Sequence, residues 1–217
     1  MLFSAPTTSP AETQVADLRD YPEWRRGRER YGLWMLPVED ETVLAYIADL
    51  RARLADLLHP CPRRQPHVTL FVCGFHAAAR MHDDDFAPEA LSRQLALLSA
   101  HDGVPTRLPL GRPDSFASAA FIPLGDPLTR LATWRAVLSL AASEIRQADY
   151  VPHITLGLYR RRVSAQVLRA RLQSLPAPEL SLPVTGLHYA TYDARDPFGP
   201  LQTHHRVPLR TPETEPA

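Results

Sequence analysis

Two pentapeptides, Pro66-His67-Val68-Thr69-Leu70 and Pro152-His153-Ile154-Thr155-Leu156, decide how this chain is read. From the histidine onward each alternates polar and apolar residues, the period of a β-strand with one packed face and one open face. With 9 His and 14 Thr among 217 residues, fewer than one His-x-Thr is expected by chance. Two copies that also share the preceding Pro, a β-branched middle residue and the following Leu are not an accident of composition.

Moving outward, the offset of 86 residues that carries one pentapeptide onto the other also carries Pro37 onto Pro123, Asp40 onto Asp126 and Leu54 onto Leu140. Strand, helix start and second strand coincide without a gap, which predicts a duplicated strand–helix–strand unit. In the first copy residues 31–38 read as a strand. After Asp40, the spacing of Val43, Leu44, Ile47, Leu50, Leu54 and Leu57 predicts an amphipathic helix. A strand follows at 67–72. Asp83, Asp84 and Asp85 read as the acidic N-terminus of a helix carrying Leu91, Leu95 and Leu98.

Residues 106–110 and 115–124 read as strands, and Asp126 opens a third helix running to Ala141. A strand at 150–159 and a helix at 164–175 follow, then strands at 180–184, 187–192 and 204–209. The layout predicts an α+β fold. It is expected to be bilobal, with two pseudo-symmetric lobes of mostly antiparallel sheet, helices on their backs, and both His-x-Thr strands on the cleft between them. Residues 31–209 are expected to form this single domain. Residues 1–30 read as a disordered or irregular leader whose Arg25, Arg26, Arg28 and Arg30 form a solvated face, and residues 210–217 read as a tail.

Composition narrows the chemistry. The 24 basic residues are all Arg, and the chain has neither Lys nor Asn. A Walker-type lysine, a Schiff base and a lysine-adenylate intermediate are therefore excluded. Zero net charge argues against a general polyanion binder. Two cysteines, Cys61 and Cys73, make neither a disulfide framework nor a zinc site. No apolar run approaches the roughly 18 residues of a membrane span. A cytoplasmic monomer without membrane association is the expectation.

Period two puts His67 and Thr69 on one face of their strand, with Val68 and Leu70 on the other. Two such strands about a pseudo-two-fold present two imidazoles and two hydroxyls to one cleft. Imidazole titrates near neutrality, so a pair holds one base and one acid together. Threonine hydroxyls donate to the non-bridging oxygens of a phosphate. The set suits phosphodiester chemistry without metal or cofactor. One neutral His takes a proton from the attacking oxygen, and the other, protonated, gives one to the leaving oxygen. A strained 2′,3′-cyclic phosphate fits it well. The near-identity of the motifs leaves the acid and base roles interchangeable between His67 and His153.

On these two motifs, residues 31–209 resemble the two-histidine (2H) phosphoesterase superfamily, which includes bacterial 2′-5′ RNA ligases and RNA 2′,3′-cyclic phosphodiesterases. The resemblance implies that His67 and His153 are catalytic and that Thr69 and Thr155 bind the substrate phosphate. It implies neither metal nor ATP, with RNA ends or small nucleotides bearing a cyclic phosphate as substrates. A non-catalytic nucleotide- or RNA-end-binding protein with the same cleft is the alternative. The chain departs from many RNA-ligase relatives at Leu158, where they carry Arg. If the strand ran on regularly from His153, Tyr159 would share its face and offer a hydroxyl or a stacking ring to the substrate, with plain packing as the other reading. Arg160, Arg161 and Arg162 read either as an anion-steering patch or as a solvated run.

Overall fold

The computed structural model describes residues 2–5, 9–60, 63–101, 103–145 and 149–210. The first unit runs from β1 (Arg30–Pro37) through α2 (Glu41–Arg53) to β2 (His67–His76); a single helical turn, α1 (Pro22–Arg25), precedes it. The chain continues through β3 (Asp85–Phe86), α3 (Pro88–Ala100), β4 (Thr106–Pro109) and β5 (Asp114–Ser115). The second unit is β6 (Ala119–Pro123), α4 (Arg130–Ser139) and β7 (His153–Leu158). It is followed by α5 (Ala165–Gln173), β8 (Ser181–Val184), β9 (Gly186–Asp193) and β10 (Gln202–Pro208). One mostly antiparallel sheet runs β10-β9-β1-β2-β7-β6-β5, with β3 beside β2 in parallel; β4 and β8 form a separate pair. The fold is α+β, and the two units share one continuous sheet.

The offset of 86 holds at the level of hydrogen bonds. Pro37 faces His67 and Met35 faces Thr69 in one unit; Pro123 faces His153 and Phe121 faces Thr155 in the other. The Val38 amide donates to the Pro66 carbonyl as the Leu124 amide donates to that of Pro152. The units also lace into each other. After α2, the His59 amide donates to the Leu158 carbonyl of β7 at 2.8 Å; after α4, the Ile145 amide donates to the Val72 carbonyl of β2 at 3.0 Å. Asp40 caps α2 at the Val43 amide, and Asp126 accepts from the Arg130 and Leu131 amides of α4.

Both motif strands bulge at the same place. Thr69 and Phe71 face the consecutive residues Met35 and Trp34, so Leu70 has no opposite number. Thr155 and Gly157 likewise face Phe121 and Ala120, leaving Leu156 extra. A bulge strands a backbone carbonyl, and a buried carbonyl needs a donor. Each is met from the other unit: Arg135 Nη1 of α4 donates to Leu70 O at 2.6 Å, and Arg51 Nε of α2 donates to Leu156 O at 2.8 Å.

The core lies on the helical side of the sheet, where Trp34, Leu36, Val68, Leu70, Ile154 and Leu156 pack with Ile47, Leu50, Leu138 and Leu168. On the opposite face Leu33 and Met35 are covered by Ala190 and Leu201.

Four expectations are corrected. The folded part does not begin near residue 31: Phe3 is fully buried in the main core, and the Thr13 hydroxyl and amide are bonded to Arg161 and Val163. The leader is irregular but packed. Arg28 is not solvated either. Its side chain is 11% exposed, ion-paired to Asp84 and Asp85 and stacked 3.7 Å over the Phe75 ring. Those acids accordingly do not open a helix, since α3 starts at Pro88 and Asp85 instead pairs with Phe75 in β3. Finally, 115–124 is not one strand: Asp114 and Ser115 fold back on Phe121 and Ala120 as a tight hairpin. Cys61 and the tail from residue 211 lie outside the described residues; Cys73 is a buried free thiol.

Candidate active site

The two motif strands meet at a single ladder pair, Val68 opposite Ile154, antiparallel. Both side chains are fully buried on the core side. Their neighbours His67, Thr69, His153 and Thr155 therefore lie on the opposite face, and all four are half-buried there. Antiparallel order sets His67 toward Thr155 and His153 toward Thr69. The two imidazoles then occupy a diagonal, with Cβ atoms about 7–8 Å apart in regular sheet geometry.

Both rings are held alike. His67 Nδ1–H donates to the carbonyl of Gln65 at 2.8 Å, and His153 Nδ1–H donates to that of Val151 at 2.7 Å. A carbonyl only accepts, so each bond fixes the proton on Nδ1. Their surroundings differ. Burial pushes His67 down to about 4, against the Gln65 carbonyl, which favours the charged ring; the charges of Arg64 and His153 add to the downward push. His153 instead sits edge-on to Phe116 and Phe121, at 5.0 and 5.2 Å between ring centres.

His67, Thr69 and Thr155 line a pocket of about 250 Å³. His153 shares their face but is not part of that wall. The rest is largely apolar, from Leu18 of the leader, Pro60, Leu158 and Phe198, with Arg51 and Arg64 as its cations. An apolar wall beside a few polar groups is the usual make-up of a small-molecule site.

Tyr159 does not contribute. It is fully buried, and its hydroxyl bonds Ser115 Oγ at 2.7 Å in the core. Burial pushes that hydroxyl up to about 12, against the Ser115 hydrogen bond. The bulge at Leu156 is the reason: one extra residue flips every later side chain to the other face, so Leu158 takes the pocket wall and Tyr159 turns inward. Arg161 and Arg162 are spent on surface ion pairs with Asp56 and Glu12. His204 stands on the exposed edge strand β10, its Nε2 2.8 Å from Thr191 Oγ1. Among the described residues no group of three His, Cys, Asp or Glu is placed to hold a metal ion.

The residues missed from sequence are Arg64, Leu18 and Phe198. None follows a strand or helix period. Arg64 precedes the first motif in irregular chain, and the others arrive from segments far away in sequence.

The sequence model of the 2'-5' RNA ligase superfamily matches residues 38–196, which include both His-x-Thr strands. The chain belongs to that superfamily. Its fold is similar to that of LigT from E. coli in the apo form, with a TM-score of 0.59 at 18% identity over 85% of this chain and 100% of that one. LigT complexed with 3'-AMP aligns with a TM-score of 0.58 at 17% identity, covering the same shares of the two chains. TT0787 of Thermus thermophilus aligns at 0.58 and 17%, over 84% of this chain and 100% of that one. No curated protein matches in sequence. The superfamily is one of phosphoesterases and RNA ligases, so this member is an enzyme of that kind. Among the described residues no helix is long and apolar enough to cross a membrane.

Proposed function

We propose that this protein hydrolyses 2′,3′-cyclic phosphates at RNA ends or in small nucleotides and, with a ribose 5′-OH in place of water, reversibly joins such ends through 2′-5′ linkages. The observation that carries the reading is the matched anchoring of the two rings. Each Nδ1–H is tied to the carbonyl two residues back, and the two rings stand on one face across the Val68–Ile154 pair.

His67, kept neutral by burial and by the Arg64 charge, takes a proton from water as its oxygen attacks phosphorus. The bond from phosphorus to one ribose oxygen breaks, and His153 gives that oxygen its proton. Thr69 and Thr155 donate to the non-bridging oxygens. The product is a phosphomonoester beside a free hydroxyl. With a ribose 5′-OH in place of water, the same transfers make a 2′-5′ diester. Side chains supply every proton and every phosphate contact, so no metal or ATP is required, and one chain carries both histidines, so a monomer suffices.

The test is turnover of 2′,3′-cyclic mononucleotides, cyclic-phosphate-ended RNA and 2′-5′ oligonucleotides in EDTA without ATP. The wild type should turn over at least one of them. His67→Ala and His153→Ala should each lose roughly 10²–10⁴-fold while remaining folded. Full activity of either variant, or abolition by chelation, refutes the assignment.

A further inference from the structure

Three arginines surround the first motif, and two are committed. Arg51 spends its Nε on the Leu156 carbonyl and points Nη2 at that of Thr155, 3.4 Å away. Arg63 is exposed and ion-paired to Asp196. Arg64 differs. Its Nε donates to the Gly199 carbonyl at 3.0 Å, and its guanidinium lies 4.1 Å over the Tyr192 ring. Its Nη2 is closed off from solvent and has no hydrogen-bond acceptor among the described residues. No carboxylate pairs with it among those residues either. Buried donors are almost always satisfied, and an arginine remains charged in a protein. A cation fixed in the pocket wall, with no carboxylate in ion-pair contact among the described residues, is placed to meet an anion held in that pocket.

The place of that cation names the acceptor. Arg64 lines the same pocket as His67, Thr69 and Thr155, and its charge is felt at the His67 imidazole. The offset of 86 puts Tyr150 at its equivalent position, where the hydroxyl donates to the Thr69 carbonyl. Leu158 on the pocket wall brings no charge. Among the described residues lining the pocket, the positive charge is thus supplied by the first unit, on the His67 side of the diagonal.

We propose that Arg64 binds the substrate phosphoryl group, donating from its guanidinium to a non-bridging oxygen and offsetting the negative charge that builds there as the attacking oxygen bonds to phosphorus. The stack on Tyr192 and the bond to Gly199 hold the group in place before substrate arrives, so no reorganisation is needed at the moment of reaction. Beside burial, the larger cause, the same charge keeps protons off His67 until the negative charge of the bound phosphate offsets it. Arg64 thereby couples phosphate binding to the basicity of His67. This inference rests on the phosphoesterase reading above.

Two measurements on the full chain separate the two ideas. The first is affinity for inorganic phosphate, read from the chemical shift of His67 Cε1–H. The second is kcat/KM for a 2′,3′-cyclic mononucleotide against pH. Arg64→Gln should weaken phosphate binding by at least about tenfold and lower kcat/KM by roughly 10²–10³. It should also move the His67 titration up toward the ordinary imidazole value. A folded Arg64→Gln with phosphate affinity within about twofold of wild type and an unmoved His67 titration overturns the proposal. If that variant does not fold, Arg64→Lys decides. It keeps the charge without the fork, so phosphate binding should fall by about tenfold while His67 titrates where it did; unchanged affinity overturns the proposal. A wild type that binds phosphate through Arg64 yet turns over no cyclic phosphate or 2′-5′ linkage sinks the phosphoesterase reading and, with it, the transition-state role of Arg64, and sustains only the phosphate contact. Turnover by wild type with an indifferent Arg64→Gln sinks this one alone.

Discussion

Acidification should unfold this protein partly through His67. In the unfolded chain the imidazole titrates near 6.5; in the native cleft burial holds it near 4. Between those values the unfolded state binds the extra proton and the native state does not, so stability rises with pH across that window and falls as pH is lowered through it. From 6.5 to about 4, at roughly 1.4 kcal/mol per pH unit, the loss on full acidification comes to about 3 kcal/mol. The sign is that of a depressed histidine: nothing is lost above pH 7, and the full amount is gone near pH 4. Urea unfolding of wild type and of His67→Gln at half-unit steps from pH 7.5 to 4 isolates this contribution by difference. His76, His188 and His204, which burial also holds below the usual value, are common to both chains. The difference should grow by about 3 kcal/mol toward pH 4 and vanish above pH 7. Parallel stability curves, or a His67 Cε1–H resonance titrating at 6.5 or above, refute the reasoning.

Three substitutions test the structure around the site. Tyr159→Phe should leave kcat/KM unchanged and cost about 1 kcal/mol in thermal unfolding, because only the hydroxyl bonded to Ser115 is lost; a large loss of turnover would return Tyr159 to the substrate. Arg28→Met should cost about 3–5 kcal/mol in urea unfolding, since Asp85, whose side chain is 1% exposed, loses its cation; a cost under ~1 kcal/mol would show that the pair contributes little. Gly74→Ala should destabilise by about 1–3 kcal/mol by the same measurement, because φ is +108° there and a Cβ would run into the Asp84 carbonyl; an unchanged urea midpoint would contradict the close approach.

The acidic run at 83–85 shows where local reading fails. Three acids before an apolar helical period look like a helix start, and the period itself is real in α3. Nothing nearby tells that Arg28, more than fifty residues earlier, claims Asp84 and Asp85 instead. The leader misled in the same way. Its composition is that of a solvated segment, yet Phe3 joins the core through contacts that no local pattern encodes. At the site, the four motif residues were legible because period two and the repeat are local signals repeated in register. Tyr159 was not, because the same period, carried through an unseen bulge, gives the wrong face.

From residues alone came the duplicated unit, the strand–helix order and the face on which His67, Thr69, His153 and Thr155 stand, since alternation and helical spacing are properties of neighbours along the chain. The tertiary structure decided the rest: the bulges at Leu70 and Leu156, the arginines that cross to satisfy them, and the arrival of Tyr192 and Gly199 beside Arg64. Each depends on which backbone and side-chain groups are left without partners once the sheet has closed, and that is settled only between segments distant in sequence.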